Sequence, residues 1–243
     1  MSAFLDAMRE ISGKAGGRLD LWTRFLNQVH SSSVMEIGVW KGEFAKRMLS
    51  DCGSIKRYYM MDPWRKLPAW NKPFNVNDSE FDDVFDKAIG ATNFASGKRI
   101  VLRGTTTETI AQIEDESIDF CYVDGDHTLR GVTIDLINAY PKVKRGGYLC
   151  GDDLSPTIWQ HSRKFEPTLV FPFAVYFAEA VGAEFVALPF LQFAMRKPTE
   201  SREYRFLNLT SEYSDLALHA QFERKPISML WNKVRARLYA ERS

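Results

Sequence analysis

Acidic, hydroxyl and glycine residues follow five short apolar segments of this chain. They are Glu36 with Gly38, then Asp62, then the stretch 104–106, then 124–127, and finally 151–153. Grouped carboxylates repel one another unless a cation or a cationic ligand neutralises them. If the apolar segments are neighbouring parallel strands, their ends meet at one edge of a sheet, where such folds bind ligands. The pattern therefore predicts a binding site at that edge.

Three of these acids predict a metal site. Asp124, Asp152 and Asp153 would end adjacent central strands, so their carboxylates can converge. Oxygen ligands without a cysteine partner suit a hard cation such as Mg²⁺, with water completing the octahedron. Such a cation would orient a substrate hydroxyl and lower the pKa of that hydroxyl. In the alternative interpretation, these acids cap helices or turns and no ion binds.

His127 follows Asp124 at the start of a predicted helix. It either takes a proton from the acceptor, because an imidazole with a pKa of about 6.5 suits a base at neutral pH, or it holds Asp124 or Asp153 in place. Asp124 and His127 are therefore the candidate catalytic residues. His161, in the loop after Asp153, is a candidate for contact with substrate.

A strand, a glycine turn and a helix are predicted between residues 34 and 49. The apolar run 34–37 ends before Gly38, and Gly42 precedes an amphipathic helix. Glycine lets the backbone approach a ligand closely, and a helix start offers unpaired N–H groups, so this unit suits a nucleotide-like ligand. The third glycine of the dinucleotide fingerprint is missing, and Trp40 stands where a middle glycine would lie. An ordinary strand–turn–helix is the alternative.

The second predicted strand ends at Asp62, 26 positions after Glu36 (62 − 36). A carboxylate there can accept both hydroxyls of a ribose, as in dinucleotide-binding folds. Alternatively, Asp62 caps a turn before Pro63. Thr105 and Thr106 either contact an adenine or cap the helix that follows, with Thr106 as the N-cap type of residue.

The order of elements predicts an α/β fold. Predicted helices cover 4–29 in one or two pieces, 78–94, 107–113, 129–140 and 173–181; predicted strands cover 34–37, 58–62, 100–102, 118–123, 148–150, 184–188 and 192–195, with a turn over 141–147. Short, apolar, non-alternating strands between helices indicate a parallel sheet covered on both faces. We predict a doubly wound, mostly parallel seven-stranded sheet of Rossmann-like type, with an antiparallel hairpin at one edge.

Length and composition predict one globular domain with appendages, because 243 residues with 45% hydrophobic positions can bury one sizeable core. We expect a helical extension over 1–30, the ligand-binding domain over 31–198, and a tail over 199–243. The tail carries a helical stripe of apolar residues between 227 and 238. It is expected to pack on this domain or on a second copy, so a homodimer through the tail or the N-terminal helices is one expectation. Attachment to an anionic membrane surface is the alternative.

The net charge of the chain indicates which partners to expect, and its cysteines indicate the cellular compartment. The net charge of +1 gives no reason to expect nucleic acid as a partner. Cys52, Cys121 and Cys150 are widely spaced without a metal-type pairing, which indicates reduced thiols and a cytoplasmic location. We find no signal peptide and no apolar run long enough to span a membrane.

Four segments carry a family resemblance: EIGVWKGEFA, YYMMDPW, SIDFCYVDGDHTLRGVTIDL and VKRGGYLCGDD. In this order they resemble the class I S-adenosylmethionine-dependent methyltransferases. More narrowly, they are similar to the small-molecule branch related to macrocin-type sugar O-methyltransferases and catechol O-methyltransferase-like enzymes. The resemblance covers residues 34–153 and continues loosely to 195.

This resemblance implies O-methylation of a small-molecule or sugar hydroxyl by in-line displacement at the sulfonium of S-adenosylmethionine, with Mg²⁺ assisting. It places the turn at the methionine part of the cofactor, Asp62 at the ribose, and residues 63–64 and 105–106 around the adenine. The predicted cofactor-binding residues are Glu36, Gly38, Val39, Trp40, Gly42, Asp62, Pro63, Trp64, Thr105, Thr106 and Asp124; the predicted metal ligands are Asp124, Asp152 and Asp153.

Two departures from the family pattern stand out. Trp40 replaces a small residue of the turn, so its side chain must point away from the cofactor or wall the site. The metal cluster has no nearby lysine, so the identity of a general base stays open. Two other functions are weighed against methyl transfer: a nicotinamide-dependent oxidoreductase, against which the missing glycine and the acid in the turn argue, and a binding module that keeps the cofactor without catalysis.

Overall fold

Helices and strands alternate along the chain in the computed structural model, which describes residues 2–200, 204–210 and 212–213. The strands are β1 (Ser33–Ile37), β2 (Arg57–Asp62), β3 (Arg99–Arg103), β4 (Ile118–Val123), β5 (Val143–Gly151), β6 (Glu184–Leu188), β7 (Gln192–Arg196) and β8 (Arg205–Asn208). The helices are α1 (Ala3–Lys14), α2 (Arg18–Val29), α3 (Glu43–Asp51), α4 (Asp78–Ala91), α5 (Thr106–Thr109), α6 (Leu129–Lys142) and α7 (Val170–Val181). The predicted apolar stripe at 227–238 lies outside the described residues.

The strands form one sheet in the order β3-β2-β1-β4-β5-β7-β6-β8. β1 to β5 are parallel, and β7 runs antiparallel to both β5 and β6. The predicted doubly wound, mostly parallel α/β sheet with an antiparallel hairpin is therefore confirmed. An eighth strand, β8, was not predicted. It pairs parallel to β6, so the hairpin is not outermost, and residues 205–208 of the predicted tail belong to the sheet.

Each face of the sheet has its own apolar core, as expected for strands buried on both sides. On one face, α2 presents Trp22 and Phe25 to the sheet, and their rings lie 5.4 and 6.2 Å from that of Phe120 in β4. Both helical residues are fully buried. The N-terminal helices therefore belong to the packing of this domain, and the start of α2 is held close to the ends of the central strands.

The strand order reverses between β1 and β4. The chain adds β2 and β3 on one side of β1, then returns to add β4 and β5 on the other side. Gly38 follows β1 at this point with φ +86°, and a Cβ there would lie 2.0 Å from the carbonyl oxygen of Asp124. Only glycine permits this approach of two strand ends. Ligands of open α/β sheets bind at such a point of reversal, beyond the carboxyl ends of the strands.

Several predicted boundaries were wrong. The helix predicted over 78–94 ends at Ala91 and is followed by a 3₁₀ turn over Asn93–Ala95. β5 begins at Val143 and not at 148, because Val143 is buried and pairs with Ile118 across a register shift. α7 begins at Val170 and not at 173, since Pro172 lies in the first turn, where no backbone N–H is needed. The helix predicted over 107–113 is a single α-turn, α5, followed by a 3₁₀ turn over Ile110–Gln112. Among the helices of the described residues, we find none that is both long and apolar enough to cross a bilayer.

Candidate functional site

A cavity of about 400 Å³ opens at the carboxyl ends of the central strands. Most of the predicted site residues line it: Glu36, Gly38, Val39, Trp40, Asp62, Pro63, Thr105, Thr106, Asp124, His127, Asp152, Asp153 and His161. Gly42 and Trp64 do not. Gly42 packs against α4, where a Cβ would lie 3.1 Å from the Cα of Ala88, and Trp64 is buried behind the turn, donating from Nε1 to the carbonyl of Trp40 at 2.9 Å.

The turn after β1 is held by Asp62 at the end of β2. Its Oδ2 accepts hydrogen bonds from the backbone N–H groups of Val39 and Trp40, both at 2.9 Å, and its Oδ1 accepts one from Trp64 at 2.8 Å. Burial raises the pKa of Asp62, while these three N–H groups oppose the shift. Asp62 therefore fixes the turn and also faces the cavity, so the capping role and the ligand-facing position coincide in one residue.

Trp40 forms part of the cavity wall. Its backbone has φ 51°, and its ring meets Phe74 and Phe81 edge-on at 5.5 and 5.9 Å. Of the two orientations expected from the sequence, the structure has the side chain walling the site. Glu36, on the strand before the turn, is buried and accepts a hydrogen bond from the hydroxyl of Tyr58 at 2.6 Å. Burial raises the pKa of Glu36 well above its ordinary value.

Asp135 of α6 forms the inner wall near the threonine pair. The hydroxyl of Thr106 donates to its Oδ1 at 2.5 Å, and burial raises the pKa of Asp135 to about 7. The N-cap of α5 is Thr105, one residue before the one predicted, and its N–H donates to Glu108 at 2.8 Å. Sequence reasoning missed Asp135 because a single acid within a predicted helix carries no distinguishing signal.

Asp124, His127 and Asp153 come together beyond the ends of β4 and β5. Nδ1 of His127 lies 2.6 Å from Oδ2 of Asp153, and its Nε2 lies 3.5 Å from Oδ1 of Asp124. Burial would lower the pKa of His127, but the two acids raise it well above its ordinary value. The two acids therefore favour the protonated imidazole, whose charge would offset theirs.

The carboxylate of Asp152 is engaged by side chains outside this group. Its Oδ2 pairs with Arg18 of α2, and its Oδ1 accepts from Nε2 of Gln192 at 2.5 Å. Arg18 also lies 3.1 Å from Oδ2 of Asp124. Burial and the neighbouring Asp124 and Asp153 raise the pKa of Asp152 to about 7, against the charge of Arg18.

A cation fits the group Asp124, His127 and Asp153, since one ligand atom from each can lie within 4.8 Å of the others. Nε2 of His127 is buried, lies 3.5 Å from Oδ1 of Asp124 and makes no hydrogen bond with the described residues, so in its deprotonated form it could act as a ligand. Two of the predicted metal ligands, Asp124 and Asp153, belong to this group together with His127, whereas the third, Asp152, lies outside it. A nitrogen ligand beside two carboxylates widens the choice from Mg²⁺ to Mn²⁺ and similar ions.

Two loops, one after β2 and one after β5, meet beside the cavity. The loop after β2 carries Lys72, whose Nζ donates to the carbonyls of Glu166 and Pro167 at 2.9 and 3.2 Å and to the hydroxyl of Thr168 at 3.2 Å. In the same loop, Nε1 of Trp70 donates to Asp126 at 3.0 Å. The two loops are therefore joined to each other and to the strand end that carries Asp124.

Residues 35–154 match the family model described as a methyltransferase domain. A candidate caffeoyl-CoA O-methyltransferase from Staphylococcus aureus is similar in fold, with a TM-score of 0.55 and 13% identity over 81% of this chain and 92% of that one. An O-methyltransferase from Bacillus cereus in complex with S-adenosylhomocysteine gives a TM-score of 0.50 and 13% identity over 81% and 92% of the two chains. The O-methyltransferase NovP gives 0.51 and 13% over 80% and 79%. A comparison with curated proteins gave no match.

Proposed function

We propose that this chain, which carries a class I S-adenosylmethionine-dependent methyltransferase domain, methylates a hydroxyl of a small-molecule or sugar acceptor with a divalent cation assisting. One observation supports this most directly. The glycine turn with Asp62 and the group of Asp124, His127 and Asp153 line the same cavity, so a cofactor held by the first would present its methyl group towards the second.

Cofactor binding is assigned to the turn and the two neighbouring strand ends. Gly38, Val39 and Trp40 would contact the methionine part beside Glu36, and Asp62 the ribose. Thr105, Thr106 and Pro63 line the cavity where the adenine would lie. The sulfonium supplies an activated methyl group, so these residues need mainly to align it with the acceptor and keep water out.

The acceptor hydroxyl is assigned to the side of the cavity formed by Asp124, His127 and Asp153. A cation bound there would orient this hydroxyl and lower its pKa. Asp153 fixes the imidazole through Nδ1 and leaves Nε2 directed at Asp124. This imidazole can carry a proton or bind a cation through Nε2, but not both, so cation binding would release a proton. Its raised pKa supports the role of holding the two acids over that of a free base.

Three further features support the proposal. Structures of similar fold include proteins described as O-methyltransferases. The loops joined by Lys72 can shield the acceptor from water. The three cysteines are unpaired and buried, which supports the expected cytoplasmic location.

Binding and turnover experiments test the proposal in two stages. Calorimetric titration with S-adenosylhomocysteine and with NAD in parallel should give binding of the first alone; binding of NAD alone would favour the oxidoreductase. Methyl transfer from labelled S-adenosylmethionine to a panel of phenols and sugars is then measured with Mg²⁺ and with a chelator. We expect Asp153→Asn to lose transfer and Asp115→Asn, which changes an exposed acid, to retain it. Full activity of Asp153→Asn with the chelator present would refute the assisting cation, and cofactor binding without transfer to any acceptor would favour a binding module.

A further inference from the structure

Helix α2 brings a permanent positive charge to the acidic side of the cavity. Arg18, its first residue, contacts Oδ2 of Asp152 and lies 3.1 Å from Oδ2 of Asp124. His127 lies on the other side of Asp124 and pairs in turn with Asp153. Acids and bases therefore alternate in one row: Asp152, Arg18, Asp124, His127 and Asp153.

Packing in the core fixes the guanidinium in this row. Trp22, one turn after Arg18, donates from Nε1 to Oε1 of Gln192 at 2.7 Å, and the hydroxyl of Tyr122 donates to the same oxygen at 2.7 Å. The amide nitrogen of Gln192 then donates to Asp152 at 2.5 Å. Both Trp22 and Gln192 are fully buried. Since α2 and Asp152 bond to the same amide, the side chain of Arg18 is held next to Asp152.

Arg18 and a bound divalent ion would both contact the carboxylate of Asp124. It offers Oδ2 to Arg18 and belongs to the group that fits a divalent ion. A divalent ion at Asp124 would stand within a few ångströms of the guanidinium, and two positive charges at that distance repel strongly where burial limits screening by water. An arginine cannot relieve this repulsion by losing its proton.

We propose that Arg18 is an internal competitor of the divalent cation for Asp124. The inference rests on the cation site of the proposed function. Binding of the ion to Asp124, His127 and Asp153 releases the guanidinium from Asp124, while Asp152, which the ion does not need, retains it. Cation affinity and the position of the first turn of α2 are therefore coupled, and the coupling is reciprocal.

Direct measurement of Mn²⁺ binding tests this, using the full chain without cofactor or acceptor. Arg18→Gln removes the competing charge and is expected to bind Mn²⁺ about 5- to 150-fold more tightly than the wild type, the usual range of such couplings. Arg24→Gln is the matched control, because Arg24 lies on the same helix and pairs with Asp20 away from the cavity. Its Mn²⁺ affinity should equal that of the wild type. An unchanged or weaker affinity in Arg18→Gln would overturn the inference.

Hydrogen exchange in the wild type provides a second measurement that does not depend on the folding of a variant. Saturating Mn²⁺ should speed exchange of the amides that bond to the N-cap and first-turn carbonyls of α2, residues 21–24, and leave α1 unchanged. Equal exchange with and without Mn²⁺ would overturn the inference, as would the absence of Mn²⁺ binding in every variant. Failure of this inference is distinguished from failure of the methyltransferase function by measuring methyl transfer with a chelator present. If transfer persists, the chain is a methyltransferase that does not need the cation.

Discussion

Oδ2 of Asp62 and the backbone N–H of Trp40 are joined by a hydrogen bond of 2.9 Å, which ties the end of β2 to the turn after β1. The same oxygen accepts from Val39, and Oδ1 accepts from Trp64. A carboxylate offers about four acceptor positions, so these three bonds leave about one, on Oδ1, for a ligand. A ribose would thus gain one hydrogen bond from Asp62 in this arrangement, where the sequence predicted two.

Asp62→Asn should weaken binding of S-adenosylhomocysteine by about 1–3 kcal/mol, because an amide has one accepting oxygen where the carboxylate has two. Either the N–H groups of Val39 and Trp40 or that of Trp64 are left unpaired, and the turn loosens. Calorimetric titration measures the loss. Asp82→Asn, which changes an exposed acid of α4, serves as the control and should bind like the wild type. Equal affinity in Asp62→Asn would show that neither the turn nor the ribose depends on this carboxylate.

Gly38→Ala should reduce the free energy of unfolding by about 3 kcal/mol or more, since it combines a left-handed backbone with a contact of 2.0 Å to the carbonyl of Asp124. Gly42→Ala should cost less, because its nearest contact is 3.1 Å. Gly53→Ala meets no atom within 4 Å and is the control. Urea unfolding measures all three, and a Gly38→Ala protein as stable as Gly53→Ala would contradict the close approach of β1 and β4.

Local patterns were sufficient to predict the turn and seven of the eight strands found in the described residues. Apolar runs ending in glycine or acid give the strand ends, and the family match over residues 35–154 agrees with the resemblance carried by those segments. The strand β8 escaped prediction because its four residues are only partly buried and pair with β6 at the margin of the sheet. Short strands of this kind depend on a neighbour that periodicity does not reveal.

The site contacts that the sequence did not predict are those between residues far apart in the chain. Arg18 is 106 and 134 positions away from its partners Asp124 and Asp152, so only the packed fold brings them together. A partial signal existed, since Arg18 lies one turn before the core residue Trp22 and so shares its helix face. Asp152 was predicted as a metal ligand because it and Asp153 end the strand next to that of Asp124. In the structure, the carboxylate of Asp152 contacts Arg18 and Gln192.

Lys72→Met should loosen the contact between the two loops over the cavity. The change keeps an apolar stem but leaves the carbonyls of Glu166 and Pro167 without their donor, at a local cost of about 1–3 kcal/mol. Hydrogen exchange over residues 155–169 should therefore quicken about 5- to 100-fold while exchange in β4 stays constant. Lys66→Met, at an exposed position of the same loop, is the control. Unchanged exchange in Lys72→Met would show that other contacts hold the loops together.

The stability of the protein should fall as pH rises from about 4 to about 7, in part because of Asp135. Its pKa is raised to about 7 by burial, whereas an aspartate in the unfolded chain titrates near a pKa of about 3.9. Between these values the folded protein holds a proton that the unfolded chain releases. The stabilisation is therefore complete below the unfolded pKa and is lost as pH rises through the folded one. The shift corresponds to about 2–4 kcal/mol.

Asp135→Asn removes this dependence, because the amide stays neutral and its oxygen can still accept from Thr106. Relative to the wild type, the variant should gain stability at pH 8 compared with pH 5. Asp152, whose pKa is also raised to about 7, retains its own share of the slope in both proteins. Urea unfolding at the two pH values measures the difference, with Asp115→Asn as an exposed control that should keep the wild-type slope. Parallel slopes for Asp135→Asn and the wild type would mean that Asp135 stays ionised in the folded protein, and that the cavity wall beside Thr106 carries a charge.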